Sequence, residues 1–144
     1  MSAMSDYLEN KLVDHLFRAQ TLAAPASLHI GLLTAAPSDS GGGTEVAGSN
    51  YARASVTSSL ANWAGTQAPG STAASSGTGG QTSNNAVITF PTPSGNWGLV
   101  THFGIYDAAS AGNLLLWGSL TISKTINSGD TVSFPAASLT VTFA

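Results

Sequence analysis

Three histidines, seven carboxylates and four cations are the ionisable stock of the 144-residue chain near neutral pH, and cysteine is absent. That stock limits the available chemistry. Without Cys there is no thiolate nucleophile, thiolate metal site or disulfide. His15, His29 and His102 are far apart in sequence and have no acidic partner at metal-ligand spacing. His102 and Asp107 lie five residues apart on one expected strand, so they point to opposite faces and cannot form a dyad. Neither Lys11 nor Lys124 follows a glycine, which excludes a phosphate-binding P-loop. The Gly77–Gly80 cluster lacks the G-x-G-x-x-G spacing, and no G-x-S-x-G elbow is present for a hydrolase serine. The carboxylates fall in the helix, the first loop or turns, where capping and Asx-turn roles account for them. No catalytic, cofactor-binding or metal-binding residue is assigned, and no cofactor is expected.

Two kinds of side chain retain a candidate binding role. Tyr51, Trp63, Trp97, Tyr106 and Trp117 could stack on sugar rings, but Trp117 within LLLW reads as core. Trp97 follows the Ser94-Gly95-Asn96 turn and is the aromatic expected to be partly exposed. Arg53 is the only basic residue between Arg18 and Lys124, a candidate for an interface ion pair or a clamp on backbone carbonyls.

The elements that must position these residues start with an expected helix over 6–21. Asp6 reads as its cap, with Glu9 as the reciprocal partner of a capping box. Leu8, Leu12, Leu16 and Ala19 share one face at helical spacing. Pro25 blocks continuation, and strands are expected at 28–34, 51–57, 86–90, 99–106, 114–120 (continuing to 125 past a kink at Gly118), 131–134 and 139–143. Between them lie two long loops, 35–50 with the triple glycine Gly41–Gly43, and the low-complexity 64–85, both expected to be flexible. The spacing implies a mainly β fold. We expect one domain over 1–144, an antiparallel β-sandwich (jelly-roll or Ig-like) of about seven or eight strands with one N-terminal amphipathic helix.

Composition excludes several function classes. Only 8% of residues are charged, against about 25% in an average soluble domain. A net charge of −3 with four basic residues cannot build the cationic face that nucleic-acid binding needs. The longest uninterrupted apolar run, Leu114–Trp117, is too short for a transmembrane helix, and the charged opening does not read as a secretory signal. The neutral, Ser/Thr/Gly/Ala-rich surface that remains favours association over a monomer's solubility.

Three stretches carry a resemblance. IGLLTAAPSDSGGGTEVAGSNYARASV (30–56), NNAVITFPTPSGNWGLVTHFGIYDAASAGNLLLWGSL (84–120) and KTINSGDTVSFPAASLTVTF (124–143) resemble small bacteriophage virion structural proteins. That family is variously called capsid-decoration, head-fibre or tail-fibre proteins. The resemblance implies a mostly β virion component without enzymatic activity, made in the bacterial cytoplasm and located on the particle surface. The shortness of the chain and its lack of coiled-coil heptads favour a capsid decoration, or cement, protein that stabilises the shell. Its expected partners are itself (dimer or trimer) and other virion proteins, above all the major capsid protein, with no nucleic acid and no membrane. The alternative is a tail-fibre or baseplate component that contacts host glycan through exposed aromatics. Under either reading Leu8, Leu12, Leu16, Glu45, Tyr51, Arg53 and Trp97 form the candidate partner interface.

Overall fold

A computed structural model describes residues 2–143. Ten strands and one helix follow in the order β1 (Ser2–Met4), α1 (Asp6–Phe17), β2 (Ser27–Ala35), β3 (Thr44–Glu45), β4 (Ala54–Thr57), β5 (Gln81–Ser83), β6 (Ile88–Thr89), β7 (Gly98–Tyr106), β8 (Leu114–Ile126), β9 (Ser133–Phe134) and β10 (Thr140–Thr142). The fold is mainly β, antiparallel, with the one N-terminal helix. A six-stranded sheet runs β1-β8-β7-β2-β3, with β4 also paired to β2, while β5–β10 and β6–β9 form two-stranded ribbons. The expected second layer of a sandwich is thus reduced to two ribbons. Phe134 of β9 meets Phe103 of β7 edge-on, with centroids 6.4 Å apart, and so brings one ribbon over the main sheet.

The centre of the sheet is buried on both sides. Ile30 and Leu32 on β2 face Ile105 and Phe103 on β7 in register, and together with Val100, Leu139 and Val141 they make the core. Leu33 and Tyr106 point the other way and are also buried, because a second set of side chains covers that face. Strands covered on both faces read as continuous apolar runs rather than strict alternation. LHIGLLT does so from Ile30 to Leu33.

Three short strands were not expected from sequence. β1 adds to β8 through Ser2↔Gly118 and Met4↔Leu116, too short a stretch to show any period. β3 lies inside the 35–50 loop, which is further tightened by a bridge between Ser38 and Gly41. The three glycines there all adopt positive φ (+101°, +80° and +77°), a region costly for residues with a Cβ. β5 organises the end of the 64–85 loop. The loop's base is closed by Ala64 N donating to Ser83 O (2.8 Å) and by the Thr82 hydroxyl donating to Ala64 O (2.8 Å).

The helix starts at the expected residue, but its cap lies one residue earlier than expected and it ends sooner. Ser5, not Asp6, is the N-cap, because its buried Oγ accepts from Leu8 N (3.3 Å). Asp6 becomes the first helical residue, where its charge still suits the positive end of the dipole. The helix stops at Phe17 rather than residue 21. Ala19 turns into the left-handed region (φ +55°), and Leu22 N donates to His15 Nδ1 (3.2 Å), folding the chain back.

β8 does continue past Gly118, but through a wide bulge. His102 pairs with Ser119 and Val100 with Lys124, so Thr101 stands opposite the four residues Leu120–Ser123. Four residues cannot fit the length of one, and the surplus is pushed outward. Ile122 is 79% exposed as a result.

Asn84 fastens the ribbons. It is 1% exposed, yet its amide nitrogen donates to Ala86 O and Pro135 O (both 2.8 Å), and its Oδ1 accepts from Leu139 N (2.9 Å). Replacing the donor amide with a carboxylate sets oxygen against carbonyl oxygen in a buried site. Asn84→Asp is therefore expected to lower stability by about 2–4 kcal/mol, read as a shifted denaturation midpoint; an unchanged midpoint would show that this amide holds nothing.

Candidate functional site

Glu45, Tyr51 and Arg53, separated by a turn in sequence, meet on the face of the sheet opposite the main core. Arg53 Nε and Nη2 donate to the two carboxylate oxygens of Glu45 at 2.8 and 2.7 Å, a bidentate pair. Nη1 donates to the carbonyls of Ala108 (2.8 Å) and Ala111 (2.9 Å) in the β7–β8 turn. The guanidinium carbon lies 3.4 Å from the Tyr106 ring centroid, so the planar cation is stacked on the aromatic face. The Tyr51 hydroxyl donates to Glu45 Oε1 (2.7 Å) and accepts from Leu32 N (2.9 Å). One Arg therefore provides both an ion pair and a carbonyl clamp, and both are made within the chain.

Mid-strand glycines leave room for this cluster. Gly31 and Gly104 face each other across β2 and β7. A Cβ at Gly31 would stand 2.8 Å from Glu45 Oε1 and 2.9 Å from Tyr106 Cε2, and one at Gly104 would stand 2.8 Å from the same ring atom. The ring of Tyr106 lies in the slot between them. In sequence these glycines look like interruptions of a strand, which is the one signal that could have marked the slot.

The turn held by Arg53 is also braced from within. Asp107 accepts from Asn113 N and Asn113 Nδ2, both at 2.7 Å. Burial would push the Asp107 carboxyl up, but these hydrogen bonds outweigh it and hold the group below its ordinary value. Burial raises the Tyr51 phenol well above its ordinary value, assisted by Glu45, and raises Tyr106 for the same reasons. For Arg53, burial disfavours the charge, yet the Glu45 contact prevails and the group is held more firmly protonated. None of these shifts produces a nucleophile or a base near neutral pH. The cluster is built to stay as it is.

Trp97 is not exposed. It is 6% accessible, its indole N–H donates to Ser49 O (3.0 Å), and Tyr51 meets it edge-on at 5.2 Å. The turn expected to present it instead folds it inward, because the 48–51 turn is tied down beside it by Ser94 N donating to Ser49 O and Asn50 Nδ2 donating to Thr92 O. The structure thus brings Glu45, Tyr51 and Arg53 together, and Tyr51 links them to Trp97, which belongs to the main core. It keeps the helix residues apart from them. Leu8 is buried, Leu12 is half-buried against the core, and Leu16 is 70% exposed. His15, His29 and His102 stand on α1, β2 and β7, and His102 Nδ1 shares a hydrogen bond with the Thr101 hydroxyl (2.7 Å).

A family model described as "Gp80: Podophage GP4 fiber I protein gp80" matches residues 3–142. No curated protein matches the chain at a significant level.

Removing Arg53 would strand Glu45 and two carbonyls. Arg53→Ala is expected to cost roughly 3 kcal/mol, and Arg53→Lys most of that, since an ammonium can neither fork to Glu45 nor stack on Tyr106; equal stability of the Lys variant and the parent would contradict this. The pH dependence has two sides. A carboxyl lowered in the folded state adds stability that is lost as pH falls through its folded value, so Asp107 contributes a loss below about pH 4. Phenols raised in the folded state add stability that is lost as pH rises above their ordinary value, so Tyr51 and Tyr106 contribute a loss above about pH 10. Thermal denaturation across pH should show Asp107→Asn flattening the acid side and Tyr51→Phe the alkaline side.

Proposed function

Because the chain belongs to the podophage GP4 fiber I protein family, a family of phage virion fibre proteins, we propose that it is a non-enzymatic, multi-copy building module of that fibre, bound to other virion proteins through its outer surface. The observation that carries this reading is where the reactive side chains are spent. Glu45, Arg53, Tyr51 and Tyr106 are locked in one intramolecular cluster, in which the guanidinium and the two phenols are held more firmly protonated. What remains for a partner is an outer surface of mainly neutral polar and apolar groups with a few scattered charges, suited to protein contacts made many times over.

The family description favours the fibre alternative over the capsid-cement role expected from the short chain and its lack of coiled-coil heptads. A glycan-reading version of the fibre role loses its main support, since the Trp97 ring is covered by Tyr51 and bonded through its N–H to Ser49 O. Attachment through protein surface is the simpler use of the fold.

The test is location in the particle. An epitope inserted in the exposed 72–79 segment and labelled with gold should mark fibres on purified virions. Gold spread evenly over the head would overturn the reading in favour of a shell-decorating role.

A further inference from the structure

We propose that the free face of α1 from one copy of this chain docks into the cleft beside the β8 bulge of a second copy. The inference deepens the fibre reading and rests on it for its biological setting, but the contact itself is a property of the purified chain.

Helical spacing divides α1 into two faces. Leu8 and Leu12 turn inward and join the core of their own copy. Asp6, Glu9, Val13 and Phe17 recur at three- and four-residue intervals along the other side, and Leu16, one turn beyond Leu12, joins them in solvent. On that side Val13, Leu16 and Phe17 are 50%, 70% and 79% exposed, a contiguous apolar knob with two carboxylates at its N-terminal end. Neither Asp6 nor Glu9 forms an ion pair among the described residues.

The matching hollow lies elsewhere on the same molecule. A cleft of about 910 Å³ opens between the distal half of β8 and the two ribbons, with Leu120, Ile122, Val132 and Phe134 among its apolar walls and Lys124 on its rim. It follows directly from the bulge. β1 covers β8 only from Leu116 to Gly118, and among the described residues no strand pairs with Leu120–Ser123 on either side. An uncovered stretch of strand next to apolar walls is a site that a helix can cover.

Charge decides which occupant fits. Of the four cations, Arg53 is bound to Glu45 and Arg18 to Asp14, while Lys11 is on α1 itself. Among the described residues Lys124 is thus the cation away from the helix without an ion pair, and it lines the cleft. An apolar face flanked by Asp6 and Glu9 is complementary to apolar walls flanked by Lys124. Asp130 also lines the cleft and keeps its negative charge, but it is held in its own turn by Asn127 N donating to Oδ2 at 2.8 Å and forms no ion pair with Lys124 among the described residues. Each copy carries one knob and one hollow, so contacts can propagate from copy to copy, as a fibre requires.

Sedimentation velocity on the full chain tests this. The parent should associate, and the surface variant Leu16→Glu/Phe17→Glu should drop to monomer mass with an unchanged melting temperature. Ile122→Asp, also exposed, should do the same. An equimolar mixture of the two defective variants should recover a two-copy species, since one intact knob then meets one intact hollow. Glu9→Lys should weaken association roughly tenfold or more, and adding Lys124→Glu should restore it. A parent that stays monomeric at high micromolar concentration overturns the proposal, as do a mixture that fails to associate and a loss confined to the helix variant. Gold on the fibres together with a monomeric chain would leave the fibre role standing and remove only this contact.

Discussion

The forked contact between Arg53 and Glu45, laid flat on Tyr106, directly joins parts of the chain that the hydrogen-bond ladders connect only through β2. Glu45 ends the glycine-rich loop, Arg53 leads into β4, Tyr106 ends β7, and the two carbonyls that Arg53 clamps belong to the β7–β8 turn. A partly buried ion pair adds little net stability compared with an apolar replacement, because desolvating both ions offsets their attraction. Its strength lies in what it forbids. Any other path for the loop, or another register of β2 against β7, would leave a guanidinium and a carboxylate desolvated and unpaired, at a cost of several kcal/mol. Gly31 and Gly104 belong to the same constraint, since a single methyl at either would occupy the space the ring and carboxylate need.

This use of charge changes the meaning of the chain's low charge content. Eleven charged side chains in 144 residues would leave a sparse surface even if all were outside. Two ion pairs and the Asp107 brace withdraw five of them into contacts within the molecule. The outer surface is more neutral than composition alone conveys. Neutral surfaces repel one another little when packed densely, which suits a virion fibre protein whose neighbours are proteins.

The residues of the cluster were legible in the sequence; their mutual contact was not. Arg53 stood out because basic residues are so few, and Glu45 and Tyr51 because they sit in the T-E-V and N-Y-A-R stretches flanking a turn. That all three close on one another depends on the turn between Glu45 and Tyr51, with positive φ at Gly48, Ser49 and Asn50, which has no periodic signature. Trp97 shows the opposite failure. A turn next to an aromatic suggests exposure, but the fate of the ring was decided by a carbonyl 48 residues away at Ser49. The main strands were legible through apolar runs. β1 and β5, three residues each, and the two-residue β3 were not, because pairing energy at that length comes wholly from the partner strand. Ser5 as N-cap was missed for a related reason: Asp6 and Glu9 satisfy the capping-box pattern locally, and only the Ser5 hydroxyl's bond to Leu114 O reveals which residue the sheet holds in place.

The helix then shows how one short element serves two ends. Its first two turns are anchored by Ser5 and Leu8, and burying a leucine there contributes about 2 kcal/mol to holding the helix on the sheet. Its last turn carries Leu16 and Phe17 into solvent, where their apolar area contributes nothing to the fold of the single chain. On a highly charged protein such a patch would be isolated by repulsion between molecules. Here the repulsion is nearly absent, so contact between copies recovers the apolar free energy that folding leaves unused. Anchoring at one end is what makes the other end effective. A rigidly held knob loses little conformational entropy on docking, whereas the same residues on a loose tail would have to be ordered first.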